Sequence, residues 1–373
     1  MLKRLTIGSY RGLSNLTMEN LGQINIIIGE NNSGKTSILE AIQLFDYENV
    51  LSSLITIARR RETPLGIAGV RGKLDVFDSL FYSFDMKGVA KEIYLEADSD
   101  KDGCCRVGVR AEIEKTWIER IECTQQEESR YLQYSDEDGN IREMRGEYFF
   151  ERKKRQKRCE FYFNELQRGP HIVENGEVKK QETVVLGRIK HIQYISPMDI
   201  YTNKIISASL YKGMLVDEKK RLLDLLQMFD ERILGIETGI QYGKPVTFVE
   251  MEDCGLVPIS IFGDGLKKIL TLASAVIKMR DGILLIDEFE TGIHKQALIQ
   301  VARWLSAITE RYGVQVFLTT HSSDAIDALL EASEDLDMLN TYRLEHYKSN
   351  IYIKKFEGND LQKIKSEQGM DIL

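Results

Sequence analysis

The residues best suited to chemistry form a glycine-rich run, Gly-Glu-Asn-Asn-Ser-Gly-Lys-Thr, at positions 29–36. This run fits the pattern G-x-x-x-x-G-K-[ST], in which glycines let backbone N–H groups surround phosphate oxygens. In such a loop Lys35 reaches the outer phosphates of a nucleoside triphosphate, and the Thr36 hydroxyl is a ligand for Mg²⁺. The predicted nucleotide-binding residues of the loop and its flank are Gly29, Asn31, Asn32, Ser33, Gly34, Lys35, Thr36 and Ser37.

The elements around the loop have the order that phosphate binding requires. An aliphatic run at Ile24–Ile28 enters it, and helical spacing through Ile38, Ile42 and Phe45 follows it. Strand, glycine loop and helix in this order separate a working phosphate loop from a chance match to the pattern. The sequence therefore predicts a nucleotide site at the end of a buried strand.

A second run, Ile-Leu-Leu-Ile-Asp-Glu at 283–288, places two adjacent carboxylates at the end of an aliphatic strand. A buried strand has no reason to end in two carboxylates unless something pairs with them. Asp287 can hold Mg²⁺ through water, and Glu288 can orient or deprotonate an attacking water molecule. The alternative is that both residues simply begin a polar loop. Because 252 positions separate Lys35 from Asp287, we also expect a large insertion between the two motifs.

His321 follows the strand-like run Val314–Thr319 and lies 34 positions after Asp287. That distance accommodates one helix and the next parallel strand, so we expect His321 at the same sheet edge as Asp287. A neutral imidazole there could sense the outermost phosphate of a nucleotide. An ordinary structural histidine is the alternative.

A glycine turn, Gly263-Asp264-Gly265, opens a predicted helix over Leu266–Lys278. The N–H groups at the start of such a helix could bind an anion, as those of the first loop do. One chain hardly needs two phosphate cradles for one nucleotide. We therefore expect the second cradle to serve a nucleotide that another subunit holds.

These motifs, together with Glu290-Thr291-Gly292-Ile293-His294, occur in the order of ABC-type ATPase heads. The chain resembles the branch of that superfamily that contains RecF, SMC heads and the OLD-family ATPases. The segments 263–267 and 314–322 resemble stand-alone, OLD-like ATPases of bacterial phage-defence operons, and most of all the AriA-type ATPases of PARIS systems. The resemblance covers residues 1–45 and 220–330 and leaves 90–190 unmatched.

The resemblance implies a role for each motif residue, with ATP and Mg²⁺ as ligands. It places Lys35 on phosphate, Thr36 and Asp287 at Mg²⁺, Glu288 as general base and His321 as a switch. The implied catalytic residues are thus Glu288, His321 and Lys35, and Arg11 lies near the nucleotide. The residues implied to act across a dimer are Gly263, Asp264, Gly265 and Lys267. Gly263 stands where Ser is common in this superfamily, and no glutamine can be assigned to the loop that usually supplies one.

The fold expected is α/β, an ABC-type head in which a mixed sheet with flanking helices carries a β-rich insertion. We divide the chain into an N-terminal part of the core at 1–75, the insertion at 76–190 and a C-terminal part at 191–373. Short β-rich runs separated by polar turns, from Glu92–Ala97 to Thr183–Val185, predict an antiparallel sheet in the insertion. Apolar spacing predicts a helix over Asp217–Leu234.

The chain has 373 residues and a formal net charge of −8, which argues against a sequence-independent nucleic-acid coat. A local basic run could still grip DNA, RNA or an acidic protein, although a solvated helix face or a loop is the alternative. Its basic residues are Arg152, Lys153, Lys154, Arg155, Lys157 and Arg158. Arg59–Arg61 is a second basic site of this kind.

Asp98–Gly103 matches half of a calcium loop, but Val109 at the twelfth position favours a tight hairpin turn.

No apolar run is long enough to span a membrane, and five cysteines without metal spacing are typical of reduced thiols in the cytoplasm. The resemblance implies a switch that forms a homodimer or larger homo-oligomer around ATP. It also implies a sensor and scaffold that holds a separate effector, a Toprim-type nuclease, until a phage protein or nucleic acid triggers its release. Because 52 residues follow His321, we expect no nuclease activity in this chain. A RecF- or SMC-like DNA-binding ATPase in repair or recombination is the alternative, and a small-molecule kinase would leave His321 and the glycine turn unexplained.

Overall fold

A computed structural model of the chain describes residues 1–46, 50–62, 72–82, 91–117, 134–153, 155–167, 170–174, 177–179, 192–202, 216–241, 244–348 and 350–368. The strands of these residues are β1 Leu2–Tyr10, β2 Leu13–Met18, β3 Ile24–Gly29, β4 Lys91–Ser99, β5 Gly103–Trp117, β6 Asn140–Arg152, β7 Arg155–Asn164, β8 His171–Glu174, β9 Glu177–Lys179, β10 Ile192–Ile195, β11 Ile233–Gln241, β12 Lys244–Met251, β13 Gly255–Pro258, β14 Ile283–Ile286, β15 Gln315–Thr319, β16 Leu339–Tyr347 and β17 Asn350–Glu357. The α-helices are α1 Lys35–Gln43, α2 Val50–Glu62, α3 Lys73–Asp78, α4 Asp199–Thr202, α5 Val216–Gln227, α6 Asp264–Lys278, α7 Lys295–Tyr312, α8 Ser323–Ala332 and α9 Gly358–Gln368.

A six-stranded sheet, in the order β10–β14–β15–β3–β16–β17, forms the centre of the described chain. Its first five strands run parallel, and β17 is antiparallel to β16. Along β14 the side chains alternate between two apolar clusters, with Leu284 and Ile286 in one and Ile283 and Leu285 in the other. Burial on both faces explains why these strands are continuous aliphatic runs in the sequence.

Helices cover both faces of the central sheet. Buried leucines of α5, α6, α7 and α8 share the first cluster with Leu284, and Leu270 and Leu305 are examples. The apolar faces of α1 and α2, through Ile38 and Leu54, belong to the second cluster. The α/β fold class with flanking helices that the motif order predicts is therefore confirmed.

An eight-stranded antiparallel sheet, in the order β2–β1–β4–β5–β6–β7–β8–β9, packs its apolar side into the second cluster together with α1 and α2. Strand β1 lies between β2 and β4, so that Ile7 pairs with Leu16 on one side and with Leu95 on the other. The strands before the phosphate loop and those of the expected insertion thus form one sheet. The division into 1–75, 76–190 and 191–373 stays a prediction, and this sheet crosses its first boundary. The run Thr183–Val185 lies outside the described residues.

The prediction of a helix over Asp217–Leu234 is wrong at the C-terminal end. Helix α5 stops at Gln227, and Ile233 begins β11 of a small sheet with the order β11–β12–β13. The Gln227 side-chain amide donates to the Ile233 carbonyl at 2.8 Å and helps to close the turn between helix and strand. Hydrophobic spacing could not reveal this break, because Ile233 is buried in the same cluster as Leu226.

Most of the basic run lies in a hairpin of the antiparallel sheet, since Arg152 ends β6, and Arg155, Lys157 and Arg158 belong to β7. Lys154 lies outside the described residues. Arg152 makes an ion pair with Asp102, and Arg158 lies 3.7 Å from Glu147. Part of the positive charge of the run is thus neutralised by acidic neighbours in the same sheet.

The acidic run Asp98–Gly103 spans the turn between β4 and β5, which confirms the hairpin interpretation against a calcium loop. Arg4 donates to Asp98 at 2.8 Å and pairs this end of β4 with β1. Within the described residues, every helix is too short or too polar to cross a membrane.

Gln315 joins the two large sheets, and we predict that replacing it destabilises the fold. It is fully buried, accepts from the Leu2 N–H at 2.7 Å, and donates to the carbonyls of Leu2 and Gly22 at 2.9 and 2.8 Å. Gln315→Leu removes the side-chain partner of the Leu2 N–H and carbonyl, while the Gly22 carbonyl keeps the Asn25 amide at 2.9 Å, so we expect the free energy of unfolding to fall by about 2–4 kcal/mol. Urea unfolding measures the change.

The matched control is Gln296→Leu, on the exposed first turn of α7. This substitution should change the free energy of unfolding by less than about 0.5 kcal/mol. Equal effects of the two substitutions would contradict the role that we assign to Gln315.

Candidate nucleotide-binding and hydrolysis site

Strand order brings the predicted motifs together. Strands β14, β15 and β3 are adjacent and parallel, so the segments that follow them emerge at one edge of the sheet. The phosphate loop follows β3, Asp287 and Glu288 follow β14, and His321 follows β15 just beyond Thr320. Residues separated by more than 250 positions thereby become neighbours.

The phosphate loop adopts a conformation that only small residues allow. Gly29 and Gly34 have φ angles of 144° and 98°. A Cβ atom at Gly34 would lie 2.6 Å from a methyl carbon of Leu13, and one at Gly29 would lie 2.8 Å from the Leu344 carbonyl oxygen. Both the backbone angles and the close neighbours therefore require glycine.

Lys35 is folded back across this loop. Its side chain is buried, and its Nζ donates to the carbonyl oxygens of Gly29 and Glu30, each at 2.7 Å. Burial lowers the pKa of Lys35 from its ordinary value, against the opposing effect of nearby carboxylates. The ammonium group thus lies at the mouth of the loop, held by carbonyls that an incoming phosphate can replace.

Asp287 is the centre of a hydrogen-bond network at the sheet edge. Its carboxylate accepts from the Thr36 hydroxyl at 3.0 Å, from the Thr319 hydroxyl at 2.7 Å and from the Tyr194 phenol at 2.8 Å. Burial raises the pKa of Tyr194 well above its ordinary value, so the phenol remains a donor. Tyr194 is on β10, a strand that the sequence did not reveal, and neither Tyr194 nor Thr319 was predicted as a site residue.

The oxygen ligands that Asp287 and its neighbour Thr36 offer fit a magnesium ion. A threonine hydroxyl and an aspartate carboxylate are hard oxygen ligands of the kind that Mg²⁺ prefers, and here they lie 3.0 Å apart. Thr36 and Asp287 are therefore the residues that would hold the ion, together with phosphate oxygens and water.

Glu288 is held in an unusual backbone conformation. Its φ is 48°, in the left-handed region that costs a non-glycine residue on the order of 1–3 kcal/mol. Its N–H donates to the Thr319 hydroxyl at 2.8 Å, and its carboxylate accepts from the Thr291 hydroxyl at 3.0 Å. The same Thr319 hydroxyl donates to Asp287, so one threonine orients both residues of the acidic pair.

These residues surround one cavity of about 630 Å³. Its lining consists of Arg11, Gly12, Asn31, Asn32, Ser33, Gly34, Lys35, Thr36, Ser37, Arg61, Glu288, His321 and Ile351. His321 is exposed there, and its backbone N–H donates to Glu290 at 2.8 Å. Gly29 and Asp287 do not line the cavity themselves but form hydrogen bonds to two residues that do, Lys35 and Thr36.

A buried carboxylate positions two arginines in the cavity wall. Glu40, only 1% exposed, accepts from Arg11 at 2.8 Å and from Arg61 at 2.9 Å, and the Tyr10 phenol lies 3.3 Å away. Arg61 also donates to the Ser37 hydroxyl at 3.3 Å. The wall is therefore positively charged, as a polyphosphate requires. In the sequence Arg61 stands out only as part of the basic triplet Arg59–Arg61, which by itself indicates a patch for an acidic partner.

The glycine turn lies elsewhere. Gly263 precedes α6 and is exposed, Asp264 accepts from the Tyr201 phenol at 2.7 Å, and Lys267 lies 3.7 Å from Asp264. These residues do not belong to the cavity lining given above. Lys268 comes directly after them and is fully buried beneath Glu288, a position that no local pattern of the sequence predicted.

Comparisons with known proteins agree with this geometry. Residues 24–327 match a family model described as "AAA domain, putative AbiEii toxin, Type IV TA system". A Helicobacter pylori protein named ATP/GTP phosphatase is 23% identical over 367 residues, which cover 92% of this chain and 91% of that protein. A DNA replication and repair protein RecF from Marinomonas is 50% identical over 46 residues, 12% of each chain.

Among solved structures, the SMC head domain from Thermotoga maritima aligns with 95% of this chain and 99% of that one, at 12% identity and a TM-score of 0.46. The family model spans the phosphate loop, the glycine turn, the acidic pair and His321. The chain therefore belongs to the AAA-domain family that this model describes.

Proposed function

We propose that this chain binds ATP with Mg²⁺ and hydrolyses it to ADP and phosphate. The observation that carries the proposal is the convergence of Lys35, Thr36, Glu288 and His321 on one cavity, with Asp287 directly behind Thr36. Family membership supports it, as does the name of the Helicobacter pylori relative. Because that name includes GTP, both nucleotides belong in the first assay.

Each residue of the chain has a definite task in this proposal. Lys35 exchanges its two carbonyl partners for phosphate oxygens, while the N–H groups of the loop surround the same phosphates. Glu288 accepts a proton from the attacking water, and His321 contacts the outermost phosphate. Arg11 and Arg61 hold the remaining negative charge. When bound, the ion at Thr36 and Asp287 neutralises charge on the phosphates.

The position of the glycine turn supports a dimeric switch. Gly263, Asp264, Gly265 and Lys267 lie outside the cavity of their own subunit, at the exposed start of α6. In this proposal the turn completes the site of a second copy, so that two heads enclose two nucleotides. ATP then favours the closed dimer and hydrolysis weakens it, because both subunits contact each nucleotide.

Two substitutions separate binding from hydrolysis. Lys35→Ala removes the ammonium group at the mouth of the loop and should abolish ATP binding, measured by isothermal titration calorimetry. Glu288→Gln keeps the side-chain volume but removes the proton acceptor, so it should bind ATP and accumulate as a closed dimer. Phosphate release should fall by about 10²–10⁴-fold in this variant, and light scattering after size exclusion measures the dimer.

The exposed pair Arg303 and Glu331 provides a control. Glu331→Gln should leave binding, turnover and assembly unchanged. Unaltered turnover in Glu288→Gln would contradict its role as general base.

We further propose that the switch is a sensor and scaffold in bacterial anti-phage defence, located in the cytoplasm. It would hold a separate effector, a Toprim-type nuclease, until a phage protein triggers release. The family description supports this direction because it names an AbiEii toxin. Membership of the AriA-type ATPases of PARIS systems stays a prediction.

The alternative of a DNA-repair ATPase has narrower support. The RecF relative matches over 46 residues, and the basic hairpin through which DNA would bind has Arg152 and Arg158 beside acidic groups. The defence scaffold is therefore the function that we favour.

Co-purification tests the scaffold. We expect the tagged chain to retain the product of the neighbouring gene with ATP, and the Glu288→Gln variant to retain it more strongly. Lys35→Ala, which cannot bind nucleotide, is the matched control. Cleavage of DNA or RNA by the purified chain alone would contradict the scaffold, and ATP turnover stimulated by DNA in a salt-sensitive manner would favour the repair function.

A further inference from the structure

Helix α6 carries a lysine that is completely buried. Lys268 is 0% exposed and is among the largest side chains in the interior of the described chain. Lysine is almost never fully buried unless it is paired, because removing its charge from water is costly. A buried ammonium group beside the acidic pair therefore requires a specific reason.

The side chain of Lys268 reaches the backbone of the loop 288–292, which follows the acidic pair. Its Nζ donates to the Glu288 carbonyl oxygen at 3.3 Å, and the same oxygen accepts the Thr291 N–H at 3.1 Å. Burial lowers the pKa of Lys268 to about 8, while the carboxylates of Glu290, Asp287, Glu288 and Asp199 raise it. These groups make the surroundings of Lys268 strongly negative.

Lys35 is the second cation near these carboxylates, and the negative charges of Asp287, Glu288 and Glu290 raise its pKa. In the proposed reaction, however, Lys35 turns to the phosphates when nucleotide binds. Lys268 is buried in the interior and does not line the cavity, so it has no phosphate to turn to. It therefore supplies positive charge beneath the loop that does not depend on the nucleotide.

The backbone of Glu288 needs support on both sides. Its φ of 48° is unfavourable for a residue with a side chain and persists only where neighbours hold it. Thr319 holds the N–H side through its hydroxyl at 2.8 Å, and Lys268 holds the carbonyl side. Without the ammonium group, the Glu288 carbonyl oxygen keeps the Thr291 N–H, while the N–H of the same peptide, that of Phe289, still donates to the Thr319 carbonyl oxygen at 2.9 Å.

The helix that carries Lys268 begins at the glycine turn. Three residues before Lys268, Gly265 packs so closely that a Cβ there would lie 3.1 Å from the Gly292 carbonyl oxygen. The start of α6 thus approaches the loop 288–292 at two points, with Gly265 beside Gly292 and Lys268 bonded to Glu288.

We propose that Lys268 is a positioning residue that fixes the Glu288 peptide and couples it to the glycine turn of its own subunit. This inference rests on the proposed hydrolysis of ATP. When the turn of one subunit contacts the nucleotide of its partner, this contact would align Glu288 of the first subunit. The two sites would then hydrolyse ATP in a coordinated manner. No contact between Lys268 and substrate is involved.

The test compares Lys268→Met with Lys278→Met, an exposed position at the end of the same helix. In Lys268→Met we expect kcat to fall about ten- to a hundredfold, the cost of a misplaced catalytic group, while KM stays within about twofold. Hydrogen exchange of the nucleotide-free protein should become several-fold faster in 287–293 and stay unchanged in the second half of α6. Lys278→Met should match the wild type in both measurements.

Each outcome decides the proposal. Unchanged kcat, or a change in KM alone, overturns the positioning role, as does an unchanged exchange rate in 287–293. If the wild type does not hydrolyse ATP, the proposed function fails, and hydrogen exchange still decides the role of Lys268. If Lys268→Met does not fold, the same two measurements on Lys268→Leu, which is smaller and also lacks a donor, apply the same criteria.

Discussion

The hydrogen bond between Thr36 and Asp287 is the contact on which the rest of the site depends. It joins the first turn of α1 to the end of β14, across 251 positions of sequence, at 3.0 Å. It exists because β15 lies between β3 and β14, with all three parallel. Asp287 also binds Thr319 and Tyr194, so four strands of the central sheet converge on one carboxylate. Any change in strand order would separate the phosphate loop from the acidic pair.

The charges of the site are balanced in two layers. On the cavity side, Glu40 holds Arg11 and Arg61 in a wall that suits a polyphosphate. Beneath the loop, Lys268 opposes the carboxylates that follow β14. Lys35 can therefore exchange its carbonyl partners for a nucleotide, because the negative charge of the acidic loop is still balanced by Lys268. The antiparallel sheet contributes to the same wall, because Arg11 directly follows β1 and packs against α1 through Glu40.

Much of this organisation could be predicted from local patterns. The phosphate loop, β14 and α6 lie where the sequence places them, because aliphatic runs and glycine turns encode local conformation. Helix α5 was predicted too long, since Ile233 is buried in either conformation. For the basic run the sequence leaves open a site for nucleic acid or an acidic protein, a helix face or a loop, whereas in the structure Arg155, Lys157 and Arg158 pair with β6. Long-range pairing leaves a weak trace in a single sequence.

By itself, the sequence determined the residue types that can hold phosphate and Mg²⁺ and the order in which they occur. Only the tertiary structure decided which residues support them. Tyr194, Glu40 and Lys268 belong to no motif, and each acts through burial and a partner far away in the chain. The physical reason is that a motif depends on spacing along the backbone. The environment of a buried charge depends instead on which elements the fold packs around it.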